Sequence, residues 1–320
     1  MFFLELFLVC ASYACYTDIN SLEGCTEVQT FTFSGGDLYC YLATHDFTTS
    51  EDNLVIELPN EDIEVQASSC SNSLSGYEPL SQNPSLNPTV LHIKGGGSTN
   101  LILKSNFTIK NIAQKLVIED LTVKSEVFLS QTLITSTNDL WLKNVKFGPL
   151  EGNYHLISSG GNSNLKGVSF EGITWQTREV TVFEKDQNNS EEATLVMDDV
   201  KFNLENKQED CKTLIRIKDF NYITISSVII DGSICRLDYN SMSPVLSIDR
   251  SLNLNIYDSQ FRNMNSVSYA GQAIKGSEVL GFYMWNVTFE NIQNGRESVV
   301  ELTTVASVVL INIIVTDCSE

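Results

Sequence analysis

The sequence predicts an all-β protein, a right-handed single-stranded parallel β-helix with a disulfide-rich N-terminal cap. Three observations predict it: a strand–turn–strand unit that recurs along most of the chain, one turn residue at the centre of each unit, and a spacing of one solenoid coil between units. The units are LVIEDLTV (116–123), LWLKNVKF (140–147), SNLKGVSF (163–170), LVMDDVKF (195–202), ITISSVII (223–230), LNIYDSQF (254–261), FYMWNVTF (282–289) and VLINIIV (309–315). Looking for such self-similarity comes before any local assignment, because a repeat fixes the architecture.

The central position holds Asp120, Asn144, Gly167, Asp199, Ser227, Asp258, Asn286 and Asn312. These residue types tolerate left-handed or bridge backbone angles and can hydrogen-bond their own backbone. Two residues before stand Ile118, Leu142, Leu165, Met197, Ile225, Ile256, Met284 and Leu310, all apolar. Three residues after stand Val123, Phe147, Phe170, Phe202, Ile230, Phe261, Phe289 and Val315, again all apolar. Alternation on both sides of the turn means two short strands, each with one buried face. A single turn residue bends the chain without folding it back, so the chain travels on around a coil. The last column recurs after 24, 23, 32, 28, 31, 28 and 26 residues. Coils of that length stack as parallel sheets about 4.8 Å apart. A third short strand precedes many units, as at 213–217, 245–248 and 299–302. An antiparallel sandwich would need hairpin dipeptides between strands, and only Asn294-Gly295 and Asp231-Gly232 qualify.

Residues 1–14 read as a secretory signal peptide: a short apolar run ending in Ser12 and Ala14. Residues 15–89 lack the repeat, and four cysteines crowd there, so this stretch is expected to cap the open end of a solenoid spanning 90–320. The cysteines are 10, 15, 25, 40, 70, 211, 235 and 318, with no Cys-x-x-Cys pair, which favours disulfides over a zinc or redox site. Cys211 and Cys235 flank the coil from 213 to 230 and are expected to pair, while three pairings remain open among Cys15, Cys25, Cys40 and Cys70. N-x-S/T acceptors stand at Asn106, Asn188 and Asn286. The last unit is strongly apolar and no polar cap follows it, so the chain is expected to continue past residue 320 or to stack on a partner.

Forty acidic residues face twenty basic ones, a net charge of −20. Nucleic acid and anionic membrane surfaces are poor partners for such a chain, and no segment after the first is apolar for long enough to span a bilayer. The expected location is extracellular or at the cell surface.

The coils resemble those of right-handed, pectin-lyase-like parallel β-helix proteins. Gly271-Gln272-Ala273-Ile274, followed by Asn286-Val287-Thr288-Phe289-Glu290-Asn291-Ile292, is similar to the paired repeats of polymorphic outer-membrane surface proteins and of large protist surface proteins. The resemblance implies surface display and adhesion. Polygalacturonases of this architecture need paired aspartates, a histidine and an Arg-Ile-Lys. Here Arg216-Ile217-Lys218 is present, but His45, His92 and His155 lie in no Gly-His-Gly, and Asp199 of Asp198-Asp199 fills the turn column. No catalytic set, metal site or cofactor is expected. The outward residues just before the turn are Glu119, Lys143, Lys166, Asp198, Ser226, Tyr257, Trp285 and Ile311, which do not form a calcium site.

The same outward columns end in Tyr257, Tyr283, Trp285, Val309 and Ile311, an apolar and aromatic stripe where polar residues belong. Such patches mark contacts, unless an inter-coil loop such as 262–272 covers them. The leading expectation is a non-catalytic scaffold that meets a surface or matrix protein, or a glycan, and can self-associate through its C-terminal coil. A carbohydrate-binding β-helix, or a polysaccharide lyase or hydrolase with a divergent site, are the alternatives.

Overall fold

The structure is a computed structural model, which describes residues 19, 28–44, 53–66, 88–104, 113–129, 132–136, 138–152, 156–175, 183–185, 192–203, 215–231, 245–265, 273–293 and 298–318. The chain winds as a parallel β-solenoid with three sides. One coil shows the plan: an entry strand Ile215–Lys218, a middle strand Tyr222–Ser226 and an exit strand Ile229–Asp231. Each stacks in parallel on its counterparts in the neighbouring coils, Ile215 opposite Leu246, Ile223 opposite Leu254, and Ile230 opposite Phe261.

The turn column behaves as its chemistry demands. Asp120, Asn144, Asp199, Ser227, Asp258, Asn286 and Asn312 have φ between 46° and 55°, and Gly167 has φ 62°. Each of these eight bends from the middle to the exit side is therefore one residue in the left-handed region, where Asp, Asn and Gly are least strained. Their side chains also bond from coil to coil: Asn144 Nδ2 donates to Asp120 Oδ1 at 2.9 Å, and Asn286 Nδ2 donates to Asp258 Oδ1 at 2.9 Å. Asn312 donates in turn to Asn286. A second ladder runs after the exit side, where Asn263 donates to Asp231 at 3.1 Å and Asn291 donates to Asn263 at 2.9 Å. A third bend column, from entry to middle side, has φ of 56–66° at Asp219, Arg250, Glu278 and Thr304. Arg, Glu and Thr are not turn-forming types, and this corner leaves no signature in the sequence.

Asn144→Val should cost about 2 kcal/mol, since a β-branched residue is disfavoured in the left-handed region and the bond to Asp120 is lost. Urea denaturation against Asn144→Gly separates the two contributions, because glycine keeps the backbone but not the bond.

Inside, the phenylalanine column forms the expected ladder. Phe147, Phe170, Phe202, Phe261 and Phe289 are all buried. Phe147 stacks on Phe170 at 5.1 Å, Phe170 on Phe202 at 4.8 Å, and Phe261 on Phe289 at 5.3 Å. The in-register stacking of a parallel solenoid places like residues face to face, so one apolar column becomes one continuous seam.

The parallel ladder starts well before residue 90. Gln29–Thr32 pairs with Asn53–Glu57, which pairs with Val90–Lys94, which pairs with Lys115–Glu119. The helix Leu38–Thr44 follows the first of these strands and packs near Asp62–Val65, the first exit strand. Asp37 caps it, its Oδ1 accepting from Cys40 N at 2.9 Å. Leu38 and Leu42 are fully buried against Phe33 and the first coils, so a helix covers this end of the core where a further exit strand would stack. Cys40 on that helix is disulfide-bonded, to a partner outside the described residues. Cys15, Cys25 and Cys70, and the expected pair Cys211 and Cys235, likewise lie outside the described residues, and Cys318 is a free thiol.

The final strand, Ser307–Thr316, pairs with Ile274–Gln293 on one edge only among the described residues. Val308, Leu310 and Val315 continue the inward columns of Phe282, Met284 and Phe289, yet they are 48%, 55% and 55% exposed.

Candidate functional site

The outward face of the middle side divides into two halves. In the N-terminal half, the rows through His92, Val117 and Trp141 are charged and covered, and the next two carry the half-exposed pair Lys166 and Asp198. Val90, Val117 and Trp141 point away from the solenoid core, but Ile19 and Val28 pack over them to make a second small core. Lys115 lies with Nζ 3.8 Å from the Trp141 ring centroid, a cation–π contact, and burial pulls its pKa below the usual lysine value.

Beside this cluster, Glu119 and Lys143 stand opposite one another on neighbouring strands, and His92, opposite Val117, reaches Glu119 diagonally from the strand on the other side. His92 Nε2 lies 3.1 Å from Glu119 Oε2, and Lys143 Nζ lies 2.8 Å from Glu119 Oε1. The His92 and Glu119 side chains are each 3% exposed. Burial alone would raise the Glu119 carboxyl, but the hydrogen bonds and positive charges of His92 and Lys143 outweigh it and hold the pKa at about 2. Both carboxylate oxygens are thus engaged and shielded from solvent. The arrangement fixes the outer layer of the fold, and its acid–base groups do not meet the surface. Sequence reasoning placed Glu119 and Lys143 in one outward column but did not join His92 to them.

The C-terminal half is uncharged and open. Its outward positions, strand by strand, are Tyr222, Thr224 and Ser226, then Asn253, Asn255 and Tyr257, then Gly281, Tyr283 and Trp285, then Ser307, Val309 and Ile311. None is Asp, Glu, Lys, Arg or His. Trp285 is 52% exposed, and Val309 and Ile311 are exposed beside it, while Tyr257 and Tyr283 are half-buried. The described parts of the chain leave this stripe in solvent, in contrast to Trp141 at the other end of the same face. Gly281 keeps the surface flat, since a Cβ there would lie 2.4 Å from Asn253 Oδ1 and 3.1 Å from the Tyr283 ring.

The flanking sides carry cross-coil ion pairs. Arg216 meets Asp249 at 2.6 Å and Lys275 meets Glu301 at 3.7 Å on the entry side, and Arg262 meets Asp231 at 2.8 Å on the exit side. Arg216, the arginine of Arg-Ile-Lys, is therefore engaged by Asp249 through both Nε and Nη2. Among the described residues, no three His, Cys, Asp or Glu side chains converge as metal ligands, and no helix is long and apolar enough to cross a membrane.

Of the three sequons, Asn106 and Asn188 lie outside the described residues. Asn286 sits at an exposed corner, with its amide in the ladder between Asp258 and Asn312. His45 and His155 also lie outside the described residues. The chain matches no family model, no curated protein and no solved structure.

Proposed function

We propose that this protein is a non-catalytic binding scaffold of the extracellular or cell-surface kind, a right-handed β-helix that presents one flat side to a partner. The right hand follows from the near-universal handedness of parallel crossover connections. The observation that carries the functional reading is the open half of the middle side. In a chain of net charge −20, a sheet face with exposed Trp285, Val309 and Ile311 and no acidic or basic side chain is a surface kept for contact. The resemblance to pectin-lyase-like and repeat-bearing surface proteins agrees with it.

A second reading, a carbohydrate-binding face, is favoured by one specific feature. Asn253 and Asn255 stand beside Tyr257, Tyr283 and Trp285 on a face flattened by Gly281. Aromatic rings stack on the apolar faces of sugars and neighbouring amides bond their hydroxyls, so this set suits a neutral glycan better than a polyuronate.

Tyr283→Ser combined with Trp285→Ser should leave the fold intact, because Trp285 is exposed and Tyr283 half-buried on the outer face. It should abolish binding on an array of neutral and acidic glycans or of extracellular-matrix proteins. Wild-type binding that survives the double substitution would remove the stripe from the function. Assays for unsaturated products and for reducing ends on polyuronides, with and without calcium, are expected to show no turnover. Turnover lost on changing one acidic residue, with the fold unchanged, would replace the scaffold reading with an enzymatic one.

A further inference from the structure

We infer that Asn286 is an N-glycan acceptor whose first sugars lie over Trp285, so that the modification screens the contact stripe. The inference rests on the secreted, contact-face reading given above and names what sets access to that face.

The corner asparagines give the first argument. Asparagine donates in the coil-to-coil ladders at 144, 263, 286, 291 and 312. Of these, Asn286 alone has Ser or Thr two residues on, in Asn286-Val287-Thr288. It also directly follows Trp285, whereas its counterparts follow Lys143, Arg262, Glu290 and Ile311. Asn286 is exposed although a strand is paired on either side of its own. Its amide has room for the modification. Nδ2 carries two hydrogens. One is donated to Asp258 Oδ1 at 2.9 Å, and the other has no partner among the described residues. In the transfer, Nδ2 bonds to C1 of the sugar and gives up one proton. The bond from C1 to the oxygen of a lipid pyrophosphate breaks, and the pyrophosphate leaves with its lipid. One hydrogen remains for Asp258, and Oδ1 still accepts from Asn312. Val287, the middle residue of the acceptor, is fully buried, so the sugar is anchored at the corner and does not swing on a loop.

The second argument is where the sugars settle. Asn286 stands between the middle and exit sides. Towards the exit side its neighbours are Thr288 and Gln260, followed by the charged pair of positions Arg262 and Glu290. Towards the middle side they are Trp285, with Tyr257 opposite it on one neighbouring strand and Ile311 on the other. Trp285 is 52% exposed. The acetyl methyl and the apolar face of the first sugar gain by covering an exposed indole, and they gain nothing beside charged groups. The glycan therefore leans over the stripe. Its outer sugars are bulky and hydrated, and they take the space that a partner needs to reach Tyr257 and Trp285. Molecules without the glycan present the stripe bare.

The full chain secreted from a eukaryotic cell should carry a glycan on Asn286, read by glycopeptide mass spectrometry. Thr288→Ala removes the acceptor signal and leaves the asparagine ladder in place, and Thr288→Ser keeps both. The chain has three tryptophans, so the Trp285 signal is the difference between each protein and its Trp285→Phe version. Acrylamide should quench Trp285 about threefold less in the wild type than in Thr288→Ala, and Thr288→Ser should restore the shielding. On the arrays, Thr288→Ala should bind about tenfold more tightly than the glycosylated wild type. An unmodified Asn286 in the secreted chain, equal quenching of Trp285 with and without the glycan, or equal binding by the two proteins would each overturn the inference. The first two results leave the contact reading untouched. That reading falls instead if Thr288→Ala keeps its binding after Tyr283→Ser with Trp285→Ser.

Discussion

Phe202→Ala is expected to destabilise the protein by about 3–5 kcal/mol, the range for deleting a buried aromatic ring. Phe202 lies in the middle of the inward seam. Its ring is stacked at 4.8 Å and 3° on Phe170, and its strand pairs with the one that places Ile230 directly opposite. Removing it leaves a gap between Phe170 and Ile230 that neither can fill, because each is held in register by its own coil. The neighbouring positions are Val200 and Val228, both fully packed, so the backbone has no room to collapse. In a solenoid the stability is a sum of coils and of the interfaces between them. The loss should therefore appear first in hydrogen exchange of 194–203 and 222–231, and least in the N-terminal coils at 53–66 and 90–103. Phe202→Leu should recover most of the loss. A cost below about 1 kcal/mol for the alanine, measured by chemical denaturation, would mean that this ring is outside the seam.

The second large effect is expected in acid. The Glu119 carboxyl has its pKa lowered from 4.5 to about 2 by His92 and Lys143. A group whose folded pKa lies below its unfolded value stabilises the fold only while it is ionised. Its contribution is thus complete above about pH 4.5 and is lost as the pH falls towards 2. The size of the depression makes this worth about 3 kcal/mol. Many other acidic groups titrate in the same range, so the comparison that isolates Glu119 is wild type against Glu119→Gln. The variant should be less stable at pH 7, by about 3 kcal/mol, since His92 and Lys143 lose their anion in a site closed to water. The difference between the two proteins should shrink steadily from pH 4.5 to pH 2.5. A difference that stays constant across that window would show that Glu119 is not ionised against these partners. Because Ile19 and Val28 lie over the adjoining cluster, the N-terminal segment should loosen along with it, which limited proteolysis at low pH would detect.

The candidate stripe and the buried triad illustrate different degrees of legibility. Tyr257, Tyr283 and Trp285 could be placed on one face from sequence because a strand alternates with a period of two and the coils repeat in register. The same reasoning put Glu119 and Lys143 in one outward column. It missed His92, since the coil at 90–103 does not display the repeat. Gly95, Gly96 and Gly97 stand where one Asp or Asn would mark the bend, and the strand register shifts between Lys94 and Thr99. Glycine is needed there because a Cβ on Gly95 would lie 2.3 Å from the Asp120 carbonyl oxygen. Recognising Val90-Leu91-His92-Ile93-Lys94 as a coil would have set Lys94 opposite Glu119 and His92 opposite Val117, diagonally within reach of the Glu119 carboxylate.

By itself the sequence determined the parallel coil, the position of its Asp/Asn bend and the inward phenylalanine column. These are consequences of local alternation and local backbone preference, repeated until the register admits one solution. Only the tertiary structure decided where the ladder begins, how the N-terminal end is covered by Leu38–Thr44, and which outward residues meet water. Trp141 and Tyr283 occupy the same outward column, and nothing in their immediate sequence distinguishes them. One is buried because a segment from far along the chain, carrying Ile19 and Val28, packs over its coil. The other belongs to an open face because no described segment crosses there. Burial of an outward side chain is a contact between distant parts of the chain, and a local pattern holds no record of it.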